Sequence, residues 1–300
     1  MTNQESVRLE LLEVGHCMHP EHVVLQNRRF APLRFPALVA LIHHPTRGPI
    51  LFDTGYSPRF LHATRPFPER FYAWVTPITI DPARTALAQL EARGIRASDI
   101  THVIVSHFHA DHVAGLCDFP RARLVYLERA LRSFLPLGRI RGTAAGFLRA
   151  LLPEDLESRA LVPRPECESV RLPPECAPFH YGVDLFGDGS ISLVELPGHV
   201  EGQLGAFLRA ADGSLDFLVA DACWTTESVR RRQLPHPITR ALFSSYGLYG
   251  TTLGRIADLA ERTPSIRIVP AHCDAVRRLR IPSAHVGPTV TPSSDARAIV

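Results

Sequence analysis

The apolar positions fall into short runs that turn residues close. Residues 37–42 read as a buried strand, and Gly48-Pro49 marks a turn before Ile50-Leu51-Phe52, so two short strands joined by a tight turn are predicted. From 56 to 80 the pattern dissolves into proline, arginine and aromatics, among them Phe67, Phe71, Tyr72 and Trp74. Such a stretch is either a lid over a site or a packed surface excursion. Asp81 before Pro82 is an N-cap pair, and Leu87, Leu90 and the terminal Gly94 predict a helix of about three turns. Residues 100–106 predict an interior strand, 124–127 another strand and 128–134 a short helix, which implies α/β layering. The proline- and acid-rich segment 151–178 reads as a surface crossover. Beyond it, Gly187-Asp188-Gly189 is a hairpin turn into a strand over 191–196. Strands over 205–209 and 216–220 flank the Asp212-Gly213 turn. The second half therefore supplies its own sheet. A helix over 252–261, a strand over 266–269 and a loosely held tail, 282–300, complete one domain spanning 1–300.

Composition narrows the chemistry. A 300-residue chain with 45% apolar residues can bury a core of ordinary size. The formal net charge is only +3 and the longest basic run is Arg230-Arg231-Arg232, so no groove for a nucleic acid is expected and that run reads as a solvated helix face. There is no lysine, which excludes Schiff-base chemistry and leaves carboxylates, histidines, cysteines or a metal to act. The first residues lack a basic segment and apolar run, and no later stretch approaches a membrane span, so a cytoplasmic protein without membrane insertion is expected. The six cysteines show no CxxC spacing. Cys167 and Cys176 could pair if oxidised, but reduced thiols are the expectation.

The decisive segment is Ser106-His107-Phe108-His109-Ala110-Asp111-His112, where three imidazoles and one carboxylate crowd a strand-to-helix turn. Something positive must compensate and orient them, and zinc accepts both donor types. Further donors should come from later strand ends. His199, Asp221 and His272 each follow an apolar run where a strand gives way to a loop.

These residues resemble the metallo-β-lactamase superfamily, whose HxHxDH motif matches His107 to His112 and whose later ligands match His199, Asp221 and His272. The resemblance runs from about Leu38 to about Cys273 and implies an α+β fold, the four-layer αββα sandwich. It also implies two zinc ions per chain, with manganese or iron accepted by the same donors. His107, His109 and His199 would hold the first, Asp111, His112 and His272 the second, and Asp221 would bridge them. Asp53 matches a recurring position behind the ligands, where a carboxylate fixes a histidine tautomer, although an Asx turn is the competing reading. Asp111 is implied both to ligate and to pass a proton to the departing alkoxide.

The fold leaves the activity open. His109 stands where the diiron branch shows glutamate, and Asp221 stands where the best-known zinc β-lactamases show cysteine. The phrases around His107 and around Pro197-Gly198-His199 look most like the N-acyl homoserine lactonase branch, which opens a lactone with a metal-bound hydroxide. Where many of its members carry a substrate-facing tyrosine this chain has Trp224, whose indole N–H donates but is no acid. Arg59, Arg65 and Arg70 are candidate partners for a substrate carboxylate. The expectation is a metallo-hydrolase acting on a small-molecule lactone or carboxylic ester. An acyl thioesterase, a phosphodiesterase and a noncatalytic metal-binding interaction protein are the alternatives.

Overall fold

The computed structural model of the protein describes residues 6–25, 31–210 and 212–277, and among them the apolar runs pair into two sheets. The first sheet contains β1 (Arg8–Pro20), β2 (Pro32–His44), β3 (Gly48–Phe52), β4 (Ile78–Thr79), β5 (His102–Ile104), β6 (Arg123–Val125) and β7 (Ala160–Leu161), in the order β4-β1-β2-β3-β5-β6-β7. The second contains β8 (Ser169–Arg171), β9 (Tyr181–Asp184), β10 (Ile191–Glu195), β11 (Leu204–Arg209), β12 (Leu215–Ala220) and β13 (Arg267–Pro270), in the order β13-β12-β11-β10-β9-β8.

In the first sheet β2 and β3 form the antiparallel pair that the Gly48 turn predicts, and β3, β5 and β6 then run parallel. In the second sheet β8 to β12 run antiparallel, and β13 joins β12 in parallel after the helix Tyr246–Arg262. Parallel neighbours need a crossover, so both sheets carry helices on their outer faces.

Strand alternation sorts side chains between three packed layers. Ile42, Phe52 and Ile104 from the first sheet meet Ile191, Leu204 and Leu218 from the second, closing the space between sheets. Leu41, Leu51 and Val103 face the other way, against Phe60, Leu90 and Val113 of the first helical layer. Phe207, Phe217 and Val219 pack against Leu253, Ile256 and Leu259 of the second. The result is the four-layer αββα sandwich of an α+β protein.

Several elements differ from the sequence expectation. The predicted helix over 81–94 is broken. Asp81 caps only the 3-10 turn Pro82–Arg84, and Thr85 turns extended to cap a separate helix, Ala86–Glu91. Residues 56–80 hold two short helices, Pro58–Ala63 and Glu69–Val75, followed by β4. The segment 151–178 runs from one sheet to the other and lends β7 and β8 to their edges, with Leu151, Leu156 and Cys176 buried. The helix predicted over 252–261 begins earlier, at Tyr246, where Ser245 caps it. Arg230 and Arg231 lie on an exposed helix turn paired with Glu227. All six cysteines are free. The tail 282–300 lies outside the described residues, among which no helix is long and apolar enough to cross a membrane.

Candidate metal centre

Alternation of apolar and polar residues explains how the His107 segment folds. β5 ends at Ile104, and Phe108, Ala110, Val113 and Ala114 then sink into the core beneath the first sheet. Phe108 meets Tyr126 edge-on at 5.2 Å between ring centres. These anchors leave His107, His109, Asp111 and His112 to face the opposite side, around the one-turn helix Ala110–Val113. His199 follows β10, Asp221 follows β12 and His272 follows β13, so donors from both sheets meet at one end of the sandwich.

Two of the approaches are backbone-strained. Ala220, immediately before Asp221, has φ of 46°, and Asp53 has φ of 62°. Left-handed backbone at a residue other than glycine costs about 1–3 kcal/mol and persists where surrounding structure enforces it. Here it aims two carboxylates at the imidazoles.

The donor atoms converge in two groups about Asp221. His109 Nδ1 lies 3.0 Å from His107 Nε2 and 3.1 Å from His199 Nε2. On the other side, Asp111 Oδ2 lies 3.7 Å from His112 Nε2 and 3.4 Å from His272 Nε2. Asp221 stands between them, with Oδ2 3.2 Å from His199 Nε2 and Oδ1 3.4 Å from His112 Nε2 and 3.1 Å from His272 Nε2. The donors of His107, His109 and His199, and those of Asp111, His112 and His272, form compact candidate metal sites, as does the combination of His107, His112 and Asp221.

Hydrogen bonds behind the rings fix which nitrogen faces inward. His272 Nδ1 lies 2.8 Å from the Pro36 carbonyl, which only accepts, so Nδ1 carries a proton. His112 Nδ1 lies 2.8 Å from Asp53 Oδ2 and donates to it likewise. The Ser106 hydroxyl donates to Asp53 Oδ2, which leaves its oxygen to accept from His107 Nδ1 at 3.0 Å. Asp53 therefore stands behind the donors and orients them, as the resemblance implies, rather than merely closing a local turn.

A cation fits the donor set on a further ground. His112 Nε2 and Asp221 Oδ1 are buried without a hydrogen-bond partner although both point into the cluster. Buried polar atoms left unpaired are costly, and coordination satisfies both.

The electrostatics divide the same way. Burial pushes His109 down to about 4 and His199 down to about 3, and burial with neighbouring imidazoles holds His107 well below its ordinary value. Each shift favours the neutral ring, the form in which an imidazole can ligate a metal. Burial acts on His112 and His272 in the same direction, but Asp111, Asp53 and Asp221 outweigh it at His112, and Asp221 with Asp111 at His272, so both are raised. Burial opposes ionisation of Asp221, yet His272, His112 and His199 hold it well below the carboxylate range.

The cluster forms the floor of a cavity of about 410 Å³ whose walls include Phe35, Phe71, Tyr72, Val75, Trp224 and Leu242. Of the aromatics between 60 and 74, Phe71 and Tyr72 reach this cavity, Phe60 is in the core, and Phe67 and Trp74 stand exposed. Arg59 is paired with Asp118, Arg70 Nε donates to the Arg65 carbonyl, and none of the three lines the cavity, so they do not meet a substrate there. Trp224 does line it, but its indole N–H donates to Asp221 Oδ2 at 3.2 Å. Cys17, Phe35 and Thr143 also reach the cavity from segments in which the sequence carries no chemical motif.

Comparison with known proteins gives the chain a family and relatives. The model of the family described as the metallo-beta-lactamase superfamily matches residues 33–218. N-acyl homoserine lactonase AttM of Azorhizobium caulinodans is 25% identical over 271 residues, covering 89% of this chain and 93% of that protein. N-acyl homoserine lactonase AiiB of Agrobacterium fabrum is 26% identical over 234 residues, covering 73% and 78%. Among solved structures, an N-acyl homoserine lactone hydrolase with N-hexanoyl-L-homoserine at its catalytic metal centre superposes with a TM-score of 0.65 at 17% identity, over 92% of this chain and 96% of the other. At that identity the likeness speaks for the fold.

Proposed function

This chain belongs to the metallo-β-lactamase superfamily, and from that premise we propose that it is a dinuclear metallo-hydrolase that opens a lactone or cleaves a carboxylic ester carrying an apolar acyl group. The observation that carries the reading is the two donor groups with Asp221 between them at the floor of an apolar-walled cavity. Relatives over most of the chain are lactonases, which favours the cyclic ester.

The nitrogen and oxygen donors fit two zinc ions: His107, His109 and His199 would hold one, Asp111, His112 and His272 the other, and Asp221 would be shared between them. When bound, such ions supply Lewis acidity and lower the pKa of water to near neutrality. The chain's own residues do the rest. Asp53 and the Pro36 carbonyl hold the rings of His112 and His272 in register. Phe35 stacks on His272 with ring centres 5.3 Å apart and keeps bulk water from that ring. Asp111, which lines the cavity and whose Oδ2 lies 3.4 Å from His272 Nε2, would carry a proton to the departing alkoxide. The helix Glu69–Val75 serves as one side of a lid through Phe71, Tyr72 and Val75.

The test is activity of metal-reconstituted protein across lactone, thioester and phosphodiester panels. Highest kcat/KM on lactones is expected. Turnover confined to thioesters or phosphodiesters refutes the ester reading, and full metal content without turnover in any panel favours an interaction protein. A second expectation concerns Trp224→Phe. Losing the N–H that steadies Asp221 should lower kcat/KM by roughly tenfold, in line with a hydrogen bond to a charged group. Metal content should stay near wild type, as elemental analysis would read.

A further inference from the structure

The rim of the cavity carries apolar side chains that the fold leaves uncovered. On the helix Glu69–Val75, Phe71, Trp74 and Val75 fall at i, i+3 and i+4 and so share one face. All three are exposed, Trp74 to 68%, and Phe67 just before the helix is 74% exposed. The helix Arg139–Ala144 adds Ile140, 71% exposed, and Ala144 one turn further on lines the cavity. The two helices pack together, and Arg139 ties them by donating to the Phe67 carbonyl at 2.9 Å and pairing with Glu69 at 2.7 Å. Ile238 and Leu242, on the 3-10 turn Pro237–Leu242, are exposed as well. Phe71, Val75 and Leu242 are at once exposed and cavity-lining, so the apolar surface continues from the outside through the mouth to the walls. Single exposed apolar residues need no explanation, but a contiguous group around an opening marks a binding surface.

The same three segments are one-sided in charge. Residues 65–76, 138–146 and 236–248 contain five arginines, and Glu69 is their only acid. Arg139 takes that acid, whereas Arg65, Arg70, Arg141 and Arg240 have no acidic partner among the described residues. Comparably exposed arginines elsewhere are paired, Arg96 with Asp99, Arg132 with Glu128 and Arg230 with Glu227. Guanidinium groups without counter-charges beside uncovered aromatics match a surface that is negative outside and hydrocarbon within. A second copy of the chain fits worse. Pairing about a two-fold axis sets the patch against itself and brings the unpaired arginines face to face.

We propose that this rim docks peripherally on an anionic phospholipid bilayer, with Phe67, Trp74 and Ile140 seated among the headgroups, the arginines on lipid phosphates and the cavity mouth turned toward the membrane. The docking rests on the surface alone and not on the chemistry at the donors. Under the ester-hydrolase reading it adds a route: an acyl substrate held in the bilayer reaches the donors past Phe71 and Val75 without crossing water.

The test mixes the full chain with sedimentable vesicles of phosphatidylcholine, with or without phosphatidylglycerol, and reads the fraction that pellets with the lipid. Binding is expected to the phosphatidylglycerol vesicles, to fall as salt is raised, and to be far weaker on phosphatidylcholine alone. Trp74→Ser should lower vesicle affinity by roughly tenfold, the transfer of one large apolar side chain. Arg65→Gln and Arg141→Gln should each lower it about fivefold. None of the three residues lines the cavity, so melting temperature and metal content should stay near wild type. Trp74 also reports directly. The other tryptophan, Trp224, is buried, so a shift of emission to shorter wavelength on adding phosphatidylglycerol vesicles should vanish in Trp74→Ser. Equal binding to both vesicle types, or affinity unchanged in all three variants, overturns the proposal. So does a change from dimer to monomer in Trp74→Ser without vesicle binding by the wild type, which would assign the rim to a second copy. Vesicle binding without turnover of any ester leaves the docking standing and refutes only the ester reading.

Discussion

Asp221→Ala protein is expected to lose metal from both positions. Its two oxygens face different donor groups, Oδ2 toward His199 and Oδ1 toward His112 and His272, so a single truncation removes a contact on each side. Loss of a group that merely supports a ligand typically costs 10- to 100-fold in affinity, roughly, and loss of a shared ligand should exceed that at each position. Removing the carboxylate also takes away negative charge that faces His112 and His272 in a buried site and raises both imidazoles, which should lower the stability of the metal-free protein. Elemental analysis after dialysis gives the first result and urea unfolding of chelated protein the second. Full retention of both ions in Asp221→Ala would refute the bridging role.

The second large effect is expected at a residue that touches no metal. Gly198 precedes His199 with φ of 129°, and a Cβ there would stand 2.2 Å from the Tyr249 backbone nitrogen. The helix Tyr246–Arg262 cannot retreat, because the Ser245 and Ser244 amides donate to the Gly198 and His199 carbonyls at 3.0 and 2.8 Å and Thr252 Oγ1 donates to Pro197 at 2.6 Å. Gly198→Ala combines backbone strain of about 1–3 kcal/mol with overpacking of about 1–3 kcal/mol. Against a typical stability of about 5–15 kcal/mol, that destabilises the fold and moves His199 out of its donor group. Gly254→Ala is the matched control. A Cβ at Gly254 meets nothing within 4 Å, and the change should stabilise the same helix by about 0.5–1 kcal/mol. Equal melting temperatures for Gly198→Ala and wild type would contradict the account.

What the sequence made legible follows from range. Residues whose role depends on immediate neighbours were readable: the apolar run before His107, the Gly48 and Gly187 turns, and the strand ends before His199, Asp221 and His272 all have counterparts in the structure. The β1 strand had no such signal. Its Arg8–Pro20 sequence mixes charged, apolar and histidine residues, and it becomes a strand by pairing with β2 along its length. The helix expected over 81–94 failed locally, because Thr85 offered a competing N-cap. Thr143, Phe35 and Cys17 were unreadable as site residues for a different reason: only the packing of distant segments brings them to one cavity.

The placement of the donors also bears on how the protein is made. His107, His109 and His199 are all synthesised before β12 exists, whereas the other group waits for His272, which follows the last strand among the described residues. A growing chain on the ribosome therefore carries all three residues of the all-imidazole group well before it carries all three of the carboxylate-containing one.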